Sequence, residues 1–207
     1  TVVVVNSGSP VEMPWFNEVD SVLLTYFGGQ QMGNALADVV YGAVNPAART
    51  TTTWAAKMSD LPVFNTTPTN GELHYSEGRF IGYRAWRKAN RNPLIPFGHG
   101  LSYTTFTSEL LSADKSTAKV KVTNTGKRVG AHVIQIYAQS AAVDSFERRL
   151  VGFTKVSLAP GEDTTVDVTL EPLGFKRFKG NWQEDSGQWN ITLAENAFAQ
   201  GQSISIA

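Results

Sequence analysis

The sequence predicts two regions of different class: an α/β layer over residues 1–103, then an immunoglobulin-like β-sandwich over residues 104–207. Three observations carry this. Apolar runs and one segment of helical spacing occupy the first forty residues. Alternating runs divided by turn residues fill the last hundred. The 207 residues include no Cys, so the sandwich must hold without the disulfide that braces many such domains.

Val2–Val5 is a continuous β-branched run closed by Asn6-Ser7-Gly8-Ser9-Pro10. This is the pattern of a strand buried on both faces of a parallel sheet. A buried strand as first element reads as a cut through a sheet. A second apolar run, Val19–Phe27, ends at Gly28-Gly29. From Gln30 to Tyr41, Met32, Leu36, Val39 and Val40 recur at helical spacing, and Gly42 stands at a C-terminal cap position. The glycine pair lacks the Lys or third spaced Gly of a phosphate-binding fingerprint. It reads as tight strand-to-helix packing, and no cofactor is expected. The Thr-rich run from Arg49 to Trp54 predicts extended chain. From Ala55 to Arg91 the periodicity fades, with Pro62, Pro68, Asn70 and Gly71 marking an irregular connector. Gly98 and Gly100 let the backbone turn around His99.

In the second half, Ala118–Asn124 alternates strictly and ends in a turn. Ala131–Ala138 alternates with His132, Ile134, Ile136 and Ala138 on one parity, which makes His132 a core or rim residue. Arg149–Leu158, Thr165–Leu170 and Trp189–Ala194 are further strands, and Pro160-Gly161 is a turn.

Composition narrows the function. The 18 basic and 18 acidic residues leave a net charge of zero, which argues against a nucleic-acid partner and a polybasic membrane surface. No apolar run has the length of a transmembrane helix. Without Cys, thiol catalysis and thiolate-bound zinc are excluded. His74, His99 and His132 are too scattered to suggest a metal site.

The most chemically loaded stretch holds Glu72, His74, Tyr75, Glu77 and Arg84. On a functional reading Tyr75 and Glu77 line the rim of a cleft and contact substrate, with Arg84 pairing to a carboxylate. On a structural reading Arg84 anchors the connector through fork-like hydrogen bonds, with Tyr75, Phe80 and Tyr83 packed beneath it. Asp144, Glu147, Arg148 and Arg149 read as a solvated rim. Trp182 and Trp189 read as core or edge aromatics, with sugar stacking as the alternative. The sequons Asn65-Thr66-Thr67 and Asn190-Ile191-Thr192 occur at chance frequency and support no claim about secretion.

Six segments in order, VVVVNSGSPVEMPW, GQQMGNALADVVYGAVNPAAR, YSEGRFIGYRAW, PLIPFGHGLSYTTF, LVGFTKVSLAPGE and SGQWNITLAEN, resemble glycoside hydrolase family 3, the β-glucosidase family. Two departures stand out. Gln31 replaces a customary Glu, and Asn45–Thr53 lacks the family's Gly and Pro, which puts that turn's geometry in question. The resemblance implies the second half of an α/β sandwich domain, a connector, and a fibronectin-III-like β-sandwich. It implies a retaining hydrolase that releases terminal β-linked glucose or a similar sugar. Its nucleophile and acid/base carboxylates would lie N-terminal to Thr1, so no catalytic residue is assigned here, and the chain alone is expected to be inactive. The implied partners are an N-terminal catalytic barrel, in cis or as a separate chain, and an oligosaccharide or glucoside substrate. No metal is implied. The alternative is a non-catalytic carbohydrate-binding or interaction module.

Overall fold

The computed structural model describes residues 1–62, 66–141 and 147–207. In the first half, β1 (Val2–Val5) and β2 (Ser21–Leu24) pair in parallel, with Val3 opposite Val22 and Val5 opposite Leu24. Val5, Val22 and Leu24 pack on a small core of Met13, Trp54 and Ile95. The other face is open: Val2 is 50% and Val4 36% exposed. The described chain covers only one face of this two-stranded parallel sheet.

Helix α1 (Met32–Val40) follows the predicted spacing. It ends as expected, with Gly42 at φ +74° and its amide donating to the Val39 carbonyl. The Thr-rich run forms no named strand. Instead Thr50 exchanges backbone bonds with Gly98 and His99, and Trp54 bridges Ile95. Asn45, at the start of the divergent turn, accepts from the Ser102 hydroxyl and the Tyr103 amide. The connector contains a six-residue helix, α2 (Tyr83–Lys88), entered through Gly82 at φ +53°. It is too short for periodicity to reveal.

Among the described residues, the second half is a seven-stranded sandwich with an added hairpin. One sheet holds β3 (Phe106–Ala113), β4 (Thr117–Asn124) and β7 (Asp163–Thr169), in the order β3-β4-β7. The other holds β5 (Gly130–Ser140), β6 (Arg149–Leu158), β10 (Trp189–Leu193) and β11 (Gln202–Ile206), in the order β11-β10-β5-β6. All pairings within both sheets are antiparallel. Val120, Val122 and Val168 face Ile134, Ile136, Trp189 and Ile191 across the core, all fully buried. The hairpin of β8 (Lys176–Phe178) and β9 (Trp182–Glu184) stands outside both sheets.

The connector covers the outer face of the four-stranded sheet. Tyr137 packs with Tyr83, Phe97, Leu150 and Ala197. The Gln135 amide donates to the carbonyls of Gly98 and Glu195. Gly98 is required here: its φ is +84°, and a Cβ would lie 2.2 Å from Gln135 Oε1. The alternation of β5 therefore disappears beyond Ile134, where both faces are buried.

Candidate functional site

The site grows from the connector. Asn70 and Gly71, both at positive φ, turn the chain between Thr69 and Glu72. Glu72 pairs with His74 in the open, at 3.4 Å and about three-quarters exposed each. Tyr75 stands in solvent at 77% exposure. The chain then turns inward, and Arg79 reaches the sandwich.

There it meets Glu147. Arg79 Nε and Nη2 donate to the two oxygens of Glu147 at 3.2 and 3.3 Å. Arg149, on β6, donates at 2.9 Å, and Arg177, on β8, donates to Oε2. Asp185 closes the arrangement by accepting from Arg149 and Arg177. The Glu147 side chain is 2% exposed, and those of Arg149, Arg177 and Asp185 are 12% or less. Burial pushes the Glu147 pKa up, but the hydrogen bond and charge of Arg149, with help from Arg177 and Arg79, outweigh it and hold the group below the usual carboxylate range.

This corrects the reading of Glu147, Arg148 and Arg149 as a solvated rim. Three arginines from distant segments converge on one carboxylate, which sequence proximity does not show. Asp144 lies outside the described residues, as does Asn65 of the first sequon. Arg148 is buried beneath Tyr137, its guanidinium 4.8 Å from that ring, and donates to the Ala199 carbonyl at 2.7 Å. Burial pulls its pKa down to about 10. The predicted anchoring fork exists, but Arg79 supplies it instead of Arg84. Tyr83 is stacked on Phe97 at 4.9 Å and accepts from the Leu150 amide.

Around this clasp lies a cleft of about 1010 Å3. Glu77, Arg79 and Arg84 line the connector side, Glu147 and Arg149 the sandwich side, and Phe178 and Trp182 the hairpin side. Glu77 is among the residues that line this cleft, and Tyr75 is not. Phe178 and Trp182 meet edge to face at 5.7 Å and remain 65% and 54% exposed. Trp189, by contrast, is wholly in the core against Phe175. His132 is 4% exposed between Arg49 and Ser108, with Phe106 stacked on it. Burial, aided by Arg49, lowers its pKa to about 4, so it is neutral at pH 7.

Comparison with known proteins gives these features a context. Residues 1–103 match the Glycosyl hydrolase family 3 C-terminal domain, and residues 132–202 the Fibronectin type III-like domain. Thermostable beta-glucosidase B of Acetivibrio thermocellus is 40% identical over 95% of this chain and 28% of its own length. A beta-glucosidase of Kluyveromyces marxianus is 39% identical over 98% of this chain and 25% of its own. The crystal structure of Se-Met labelled beta-glucosidase from K. marxianus superposes with a TM-score of 0.90 at 33% identity, covering 100% of this chain and 26% of that one. Beta-glucosidase 3B from Thermotoga neapolitana in complex with α-D-glucose gives 0.90 at 30% identity, covering 99% and 30%. The chain spans only about a quarter to a third of these relatives.

Proposed function

Because this chain belongs to glycosyl hydrolase family 3, we propose that it is the C-terminal portion of a retaining β-glucosidase-type enzyme that releases terminal β-linked glucose or a similar sugar. The observation that carries this is the identity, along nearly the whole chain, to a protein named as a thermostable beta-glucosidase. The carboxylates described above support a division of labour. Retaining hydrolysis needs a nucleophile and a general acid about 5–5.5 Å apart, the acid with a raised pKa. Glu147 has the opposite character, lowered and enclosed by guanidinium groups. Glu72 is exposed beside His74.

The catalytic pair accordingly belongs to an N-terminal barrel, in the same polypeptide or a separate chain. This chain contributes scaffold and cleft wall, with Glu77 lining the cleft and the exposed Tyr75, two residues earlier on the connector, offered to substrate. The test is hydrolysis of an aryl β-glucoside by the purified 207-residue chain. No hydrolysis above the buffer rate is expected. Turnover by a preparation free of longer polypeptides would overturn the assignment of the carboxylates elsewhere.

A further inference from the structure

The hairpin wall of the cleft has properties that the scaffold role leaves unexplained. Phe178 and Trp182, on strands of three residues each, present two large aromatic faces to an open cavity. Across from them, the side chains of Glu77 and Arg84 make no hydrogen bond or ion pair among the described residues, although both are half-buried and line the same space. The volume of about 1010 Å3 is at the upper end for a ligand site.

Charge gives the second clue. The whole chain is neutral, yet six Arg and Lys side chains line this cleft against Glu77 and Glu147. With Asp185 behind them, a surplus of three positive charges remains among the described residues. Low-dielectric walls concentrate such a field on an anion. Arg79, Arg149 and Arg177 are occupied by Glu147, so Arg84 on the connector side and Lys176 and Lys179 on the hairpin side are left to meet a ligand.

We propose that this cleft binds an oligosaccharide carrying a uronic-acid carboxylate. The C–H face of one pyranose ring lies on Trp182, flanked by Phe178. The carboxylate takes the fork of Arg84, which suits it bidentately. The Glu77 carboxyl oxygens accept from ring hydroxyls. An aromatic wall facing a guanidinium and a carboxylate across one cleft matches a ring with an apolar face and a polar edge better than it matches an extended acidic peptide. The proposal rests on the carbohydrate-active reading given above. Its test uses binding without catalysis, so its failure leaves the family and the hydrolysis assay untouched.

The experiment is calorimetric titration of the 207-residue chain with a glucuronic-acid-substituted xylotriose and, separately, with cellotetraose. The uronate sugar is expected to bind about tenfold more tightly at low salt, the worth of one charge-assisted hydrogen-bond pair. That advantage should shrink as salt is raised. Arg84→Gln should abolish the preference while leaving cellotetraose unchanged. Trp182→Ala should weaken both sugars about tenfold with an unchanged circular-dichroism spectrum and melting temperature. Equal or tighter binding of cellotetraose, no heat from either sugar, a Trp182→Ala chain that binds as wild type, or equal displacement by a poly-glutamate peptide each overturns it.

Discussion

Glu147→Gln tests the clasp directly. The substitution keeps the side chain's shape and removes its charge. In the native chain the two oxygens receive four N–H bonds from three guanidinium groups in a setting where the carboxylate is 2% exposed. An amide keeps one oxygen acceptor and turns two N–H donors toward other donors. Breaking a buried ion pair from one side costs about 3–5 kcal/mol. Arg79 is 45% exposed and can turn to water, and Asp185 still holds Arg149 and Arg177, so about 3 kcal/mol is the expected loss.

With a urea slope of about 2 kcal/mol/M, the unfolding midpoint should fall by about 1.5 M, read by Trp fluorescence and far-UV circular dichroism together. Glu77→Gln, a half-buried residue outside the clasp, should stay within about 0.5 kcal/mol of wild type. The Arg79→Gln and Glu147→Gln cycle should show a coupling of at least about 1 kcal/mol. The acid dependence has a definite sign. The Glu147 pKa is lowered by folding, so its contribution is complete above the unfolded value of about 4.3 and is lost as pH falls through the lower native value. The gap between wild type and Gln variant should therefore close only below about pH 4. A midpoint within about 0.3 M of wild type at pH 7, or strict additivity in the cycle, refutes the keystone role of Glu147.

Two further outcomes follow from His132 on β5 and Gly98 in the connector. The native pKa of His132 is about 4, below its unfolded value of about 6.5, so the unfolded chain binds the extra proton first as pH falls. Its contribution is whole above pH 6.5 and declines toward pH 4, by up to about 3 kcal/mol. His132→Gln should flatten this part of a stability-against-pH curve, and a curve unchanged by the substitution counts against it. Gly98→Ala should cost about 2–4 kcal/mol, because it adds strain at φ +84° to a collision 2.2 Å from Gln135 Oε1. Thermal unfolding checks this, and a melting temperature within a degree or so of wild type would show that the backbone and Gln135 yield easily.

The elements legible in the sequence are those with one wet face. β4 alternates because Val120 and Val122 point into the core while Lys119 and Lys121 point out, where they pair with Asp167 and Asp163. α1 shows its spacing for the same reason. Legibility fails where a second layer arrives. β5 is legible as a strand over Ala131–Ala138, but its second buried face is not: Gln135 and Tyr137 are buried by the connector, and the alternation in burial lapses beyond Ile134. β3 breaks its own rhythm at a register shift between Leu110 and Ser112. The family resemblance was legible without any of this, because ordered motifs do not need their three-dimensional partners to be known.

The clasp is the clearest case of what sequence reading misses, and the reason is physical. A lone Glu flanked by arginines looks like a wet surface, since ionised groups are rarely buried unless they are paired. Beyond the neighbouring Arg149, the pairing comes from Arg79 and Arg177, on opposite sides of Glu147 in sequence, and only the fold supplies these two. Such a cluster is weak as a source of stability, because apolar side chains of equal volume pack as well without the desolvation cost. What it adds is direction. Apolar contacts tolerate sliding, whereas four N–H bonds to two oxygens fix angles. Arg79 belongs to the segment that carries Glu77 and Arg84, and Arg177 to the hairpin that carries Trp182. One buried carboxylate therefore sets the distance between floor and wall of the cleft, and whatever the cleft receives is measured against Glu147 without touching it.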